Sequence, residues 1–124
     1  MKTVLLADDS SLTAEIISPL IEKSGYRLIT VADGAQAIDR CCEKQPDLVL
    51  MDLYMPCMDG FIATRTLREK GFTFPIVALT GSEHEEDKIK ASRAGCNEYI
   101  LKTLEMKEVE RVLDTYLYDT EMFI

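Results

Sequence analysis

Apolar residues along this chain fall into two alternating rhythms. Short aliphatic and β-branched runs lie at 3–7, 27–31, 47–51, 75–79 and 98–101. Longer amphipathic stretches follow them, near 11–24, 34–44, 60–70, 84–94 and 105–117. The first rhythm suits strands and the second suits helices with one buried face. Strands separated by helical crossovers predict a parallel sheet covered on both faces, a doubly wound α/β fold. The central runs, such as Leu48-Val49-Leu50-Met51, are apolar throughout, as strands buried on both faces require.

Punctuation supports these boundaries. Gly25, Gly71 and Gly95 each follow a helical stretch, where a left-handed cap is favoured. The fourth helix opens on Glu83, Glu85, Glu86 and Asp87 and closes on Lys88, Lys90 and Arg93, an order that complements the helix dipole. Its apolar anchors are few, chiefly Ile89, Ala91 and Ala94, so it is expected to move easily. The last helix sets Val109, Val112, Leu113, Tyr116 and Leu117 on one face, which is core spacing. Pro19 falls inside the first helix and predicts a bend there.

With 124 residues, 47% hydrophobic and 29% charged, the chain is expected to form one domain over 1–124, with 118–124 as a C-terminal tail. It contains no repeat, linker or low-complexity segment. No apolar run approaches the roughly 20 residues of a membrane span, and no signal segment is visible, so no membrane association and a cytoplasmic location are expected. A net charge of −8 argues against direct nucleic-acid binding. The four cysteines form no CxxC pair and there is one histidine, His84, which argues against zinc. Cys41 and Cys42 read as small core residues of the second helix, and Cys57 as a loop thiol open to oxidation.

The strand ends carry the chemistry. The first strand ends in Asp8-Asp9, the third in Asp52, the fourth in Thr80-Gly81-Ser82 and the fifth in Lys102. In a parallel sheet these ends share one edge, where ligands bind in open α/β folds. Acids gathered there repel one another unless a cation shares the site, so they read as a divalent-metal and phosphoryl site. An aspartate can accept a phosphoryl group as an acyl phosphate. Magnesium takes hard oxygen ligands. A lysine and a hydroxyl can balance the phosphoryl charge. Taken singly, Asp8-Asp9 also reads as a helix cap, Thr80 as a turn residue and Tyr99 as a half-buried strand aromatic.

Together with the loop Asp52-x-x-Met55-Pro56-x-Met58-Asp59-Gly60, these positions give the chain a close resemblance to the receiver domain of two-component response regulators, over about residues 2–118. The resemblance implies a flavodoxin-like receiver fold, a five-stranded parallel sheet of order 2-1-3-4-5 with five helices. Asp52 is then the phosphoacceptor for a histidine kinase or histidine phosphotransfer protein. Mg²⁺ (or Mn²⁺) is held by Asp9, Asp52 and the backbone carbonyl of Tyr54, with Asp8 acting through water. Lys102 pairs with the phosphoryl group, Thr80 moves to bond it, and Tyr99 turns inward with Thr80. Tyr54 and Ser82 occupy positions that tune phosphoryl lifetime. Helix four, strand five and helix five form the expected output face toward a downstream protein, from a monomer or weak dimer.

One departure is Thr103, which follows Lys102 where most receivers carry a proline after a cis bond. A cis bond before a non-proline costs about 2.5–4 kcal/mol, so a trans peptide and an altered loop are expected. A free-standing regulator is the expected setting, and a receiver from a hybrid histidine kinase is the alternative. Among other classes, an aspartyl-phosphate phosphatase would need a second acid where Tyr54 stands. A flavodoxin-like cofactor binder would need a phosphate-binding loop after the first strand, which is absent from the sequence.

Overall fold

The computed structural model describes residues 1–102 and 105–118. Strands and helices alternate along the chain: β1 (Thr3–Ala7), α1 (Ser11–Lys23), β2 (Arg27–Val31), α2 (Gly34–Lys44), β3 (Leu48–Asp52), α3 (Gly60–Glu69), β4 (Ile76–Thr80), α4 (Glu85–Ala94), β5 (Glu98–Leu101) and α5 (Met106–Leu117). The strands form one parallel sheet in the order β2-β1-β3-β4-β5, as the resemblance implies. Register aligns Ala7 with Met51, Asp52 with Leu79, and Thr80 with Leu101, so the strand ends lie side by side.

Alternation along each strand divides the core in two. Val4, Leu6, Leu48, Leu50, Val77 and Leu79 meet Ile17 and Ile21 of α1 and Val109, Val112 and Leu113 of α5 on one face. Leu5, Val49, Met51 and Ile76 meet Ala37 and Cys41 of α2 and Ala63 and Leu67 of α3 on the other. A smaller cluster of Leu53, Phe61, Ala78 and Ala91 seats α4. Burying each large aliphatic side chain contributes about 1.5–3 kcal/mol, so both layers hold the sheet firmly.

β3 and β4 each begin and end one residue later than the hydrophobic pattern predicts. Asp47 is taken up at the foot of β1, where its carboxylate accepts Thr3 N–H at 2.7 Å and its own N–H bonds Thr3 O at 2.8 Å. Pro75 has no N–H to donate and offers only its carbonyl, to Val49 N at 3.0 Å. The shift makes Asp52 and Thr80 the last members of the ladder, not the first residues beyond it.

Other expectations divide. Gly25, Gly71 and Gly95 have φ of 82°, 92° and 116°, the left-handed caps expected. α1 continues unbroken through Pro19. Cys41 is buried but Cys42 is exposed, because adjacent helical residues point about 100° apart. Ile89 is 46% exposed and anchors nothing, which leaves Ala91 and Ala94 as the buried residues of α4. The Lys102–Thr103 peptide and the tail beyond Tyr118 lie outside the described residues. Among those described, no helix is long and apolar enough to cross a membrane.

At the edge away from the strand ends, Arg68 ties three elements together. Its guanidinium donates to Gly95 O at 3.0 Å, Phe72 O at 3.0 Å, Phe74 O at 2.7 Å and Asn97 Oδ1 at 2.9 Å. Asn97 Oδ1 also accepts Ile76 N–H at 2.9 Å, so the starts of β4 and β5 and the end of α3 share one polar junction.

Candidate functional site

β1 delivers Asp8 and Asp9 beyond its last residue, and β3 delivers Asp52 as its own last residue. Asp8 and Asp52 are buried, Asp9 is exposed, and one oxygen from each lies within 4.8 Å of the others. Lys102 enters from β5, where its N–H extends the ladder by bonding Thr80 O at 2.7 Å. Its Nζ lies 2.9 Å from Asp8 Oδ2 and 3.1 Å from Asp52 Oδ2. The strand-end acids and the lysine therefore meet, as their positions in sequence predict.

The balance of charge in this cluster is uneven. Asp8 Oδ1 accepts Ser10 N–H at 2.9 Å, while the buried Asp8 Oδ2 has only the ion pair with Lys102 and no directed hydrogen bond among the described residues. Asp52 Oδ1 takes Tyr54 N–H at 3.3 Å. Burial raises the Asp52 carboxyl above its ordinary range and the Asp8 charge adds to this, while the Lys102 hydrogen bond opposes it. Lys102 is raised as well: burial would lower it, but the ion pair with Asp8 and the bond to Asp52 outweigh that. One ammonium, paired with Asp8 and Asp52, serves a cluster of three carboxylates. A cluster of hard oxygens with one buried oxygen lacking a hydrogen bond fits a small divalent cation of the magnesium type.

Backbone packing fixes where Asp52 sits. Asp59 caps α3 by accepting Ile62 N–H at 2.9 Å, and Gly60 N–H bonds Leu53 O at 2.9 Å. A Cβ on Gly60 would lie 2.1 Å from Asp52 O, so only glycine lets α3 start against the end of β3. Gly34 of α2 approaches the same loop, bonding Met58 O at 2.9 Å. Cys57, exposed in that loop, has φ of 66°. The motif marked this loop in the sequence, but the close approach of Gly60 emerges only in the fold.

Thr80 is buried, and its Oγ1 accepts Ser82 N–H at 3.1 Å. Tyr99 is half-buried and donates its hydroxyl to Ser82 O. Tyr54 is 56% exposed, packs edge-on against Phe61 at 5.7 Å and donates its hydroxyl to Asp87 Oδ1 at 2.6 Å. That bond pushes the Tyr54 phenol up to about 12 and draws the Asp87 carboxyl down. Asp87 belongs to no motif, and nothing in the sequence pairs it with Tyr54.

Residues 4–114 match the response regulator receiver domain model. The chain is 31% identical over 120 residues to the polar-differentiation response regulator DivK of Brucella anthropi, covering 95% of this chain and 98% of that protein. It is also 31% identical to the alkaline phosphatase synthesis transcriptional regulatory protein PhoP of Bacillus subtilis, where it spans 50% of that protein's length. A crystal structure of the receiver domain of sensor histidine kinase PA1611 from Pseudomonas aeruginosa, with a magnesium ion coordinated in its active-site cleft, superposes with a TM-score of 0.86 at 32% identity, covering 95% of this chain and 98% of that one. With the sheet order, the acidic cluster and the lysine already in place, these likenesses settle the family: the chain belongs to the response regulator receiver domains, signalling modules and not metabolic enzymes.

Proposed function

We propose that Asp52 accepts a phosphoryl group from a phosphohistidine donor in a Mg²⁺-dependent reaction, and that this switches the face formed by α4, β5 and α5. Membership of the family implies a histidine-kinase phosphodonor, and a histidine phosphotransfer protein would present the same chemistry. The observation that carries the reading is the convergence of Asp8, Asp9 and Asp52 within 4.8 Å with Lys102 across them. In the transfer, an Asp52 carboxylate oxygen bonds phosphorus as the phosphorus–nitrogen bond breaks. The bonding pair stays on the departing imidazole nitrogen.

Mg²⁺ (or Mn²⁺), when bound, supplies positive charge against the phosphoryl oxygens. Asp9, Asp52 and the Tyr54 carbonyl would hold it, with Asp8 acting through water. Lys102 already balances Asp52 and would turn its ammonium to the phosphoryl group. Thr80 would give up the Ser82 N–H to bond a phosphoryl oxygen, and Tyr99 would follow. Tyr54 and Ser82 would set phosphoryl lifetime. The likeness to DivK over nearly its whole length supports a free-standing cytoplasmic regulator that acts through a downstream protein, as a monomer or weak dimer. A single domain over 1–124 is part of the same proposal.

Intact-mass spectrometry after incubation with acetyl phosphate and Mg²⁺ tests this. The expected result is one added phosphoryl group, lost to hydroxylamine and absent in Asp52→Asn. An unmodified wild-type mass, also with a phosphorylated histidine donor, would overturn the phosphoacceptor reading.

A further inference from the structure

Asp87 stands in the first turn of α4, outside the strand-end cluster, yet it touches the loop that follows Asp52. Its carboxylate takes the Tyr54 hydroxyl at 2.6 Å. On the same face of α4, Lys90 Nζ lies 4.3 Å from the centroid of the Phe61 ring, against which Tyr54 packs. Ser82 supplies the third connection. Its N–H donates to Thr80 Oγ1 at 3.1 Å, its carbonyl takes the Tyr99 hydroxyl, and its own hydroxyl, which accepts His84 N–H at 3.2 Å, also draws the Asp87 carboxyl down. Movement of Thr80 away from Ser82 takes the acceptor from the Ser82 N–H, in a loop whose other polar ties run to Tyr99 and Asp87. Only Ala91 and Ala94 anchor α4 in the core, so polar ties carry an unusual share of its attachment.

We propose that Asp87 is a positioning residue that, through Tyr54 and Ser82, holds α4 and the β4–α4 loop in a resting arrangement and so slows phosphorylation of Asp52. The proposal rests on the phosphoacceptor reading above. Phosphorylation draws Thr80 toward the phosphoryl group, and any bond made only in the resting arrangement opposes that movement. Coupling of this kind is reciprocal: a partner that engages α4 and draws Asp87 away would ease phosphorylation. One hydrogen bond to a carboxylate at this exposure corresponds to about a three- to tenfold change in the resting equilibrium.

The test uses the full chain as wild type, Tyr54→Phe, Asp87→Ala, Asp87→Asn, Glu86→Gln and the Tyr54→Phe/Asp87→Ala double variant. Two quantities are read: hydrogen–deuterium exchange of α4 without phosphodonor, and the rate of phosphoryl uptake from acetyl phosphate with Mg²⁺. Tyr54→Phe and Asp87→Ala should each raise both by about three- to tenfold, and the double variant by no more than the larger single. Asp87→Asn keeps an oxygen for the Tyr54 hydroxyl, and Glu86→Gln removes one charge from the same turn. Both should stay within about twofold of wild type. Unchanged α4 exchange in both single variants overturns the latch alone. So do effects that multiply in the double variant, or a Glu86→Gln that mimics Asp87→Ala. A wild type that takes no phosphoryl group overturns the phosphoacceptor reading, and the slowing with it.

Discussion

Asp52 is 4% exposed, and its carboxyl is raised above the ordinary value of 3.8, first by burial and then by the Asp8 charge. An acid raised on folding holds its proton more firmly in the folded state than in the unfolded chain. Its favourable contribution is therefore present at acid pH and is lost as pH rises from 3.8 through the raised value. At neutral pH without metal, the ionised group burdens the fold. Asp52→Asn removes that burden and keeps the shape. We expect it to stabilise the metal-free protein at pH 7, with a smaller gain at pH 5. Urea unfolding at the two pH values measures both, and a less stable Asp52→Asn at pH 7 would contradict the argument.

The elements are held by two junctions at opposite edges of the sheet, and each makes a prediction. Gly60→Ala drives a Cβ to 2.1 Å from the Asp52 carbonyl oxygen, so α3 must retreat from β3. The expected loss is about 1–3 kcal/mol, together with slower phosphorylation. Gly81→Ala meets no atom within 4 Å and should change stability by less than about 0.5 kcal/mol. At the other edge, Arg68→Ala leaves Gly95 O, Phe72 O and Phe74 O without their guanidinium donor. Its cost should reach about 2–4 kcal/mol, only partly recovered by Arg68→Lys, whose single ammonium cannot match the planar fork. Equal stability of Arg68→Ala and wild type would deny the junction this role.

These junctions also show where sequence is legible. Apolar runs and glycine stops placed all five strands and helices to within a residue, because the period of burial is itself the signal. The strand-end acids and Lys102 were legible because parallel topology carries every strand end to one edge. The exact ends of β3 and β4 were not, since they turn on whether Asp47 and Pro75 can join a ladder. Ile89 misled because an apolar residue in a helix does not announce which way it points. The Tyr54–Asp87 bond joins residues far apart in sequence through side chains alone, and no periodicity encodes such a pair.

For the whole molecule, the net charge of −8 and the cluster of Asp8, Asp9 and Asp52 both make stability sensitive to cations, and the two effects can be separated. Screening of surface charge is general, so NaCl at matched ionic strength should reproduce it in every variant. Binding at the cluster is specific and stabilises by mass action, by about 2.7 kcal/mol when free Mg²⁺ is a hundredfold above its dissociation constant. Asp52 plays opposite parts in the two states, as an unbalanced buried charge without metal and as a ligand with it. The curves of unfolding midpoint against Mg²⁺ should therefore cross: Asp52→Asn begins above wild type and ends below it, while Asp9→Asn gains little from Mg²⁺ at any concentration. Parallel curves for the three proteins, or equal gains from NaCl, would mean that the acids merely add to the surface charge. A crossing would mean that burial of Asp52 lowers stability in the metal-free state and favours metal binding at the same edge.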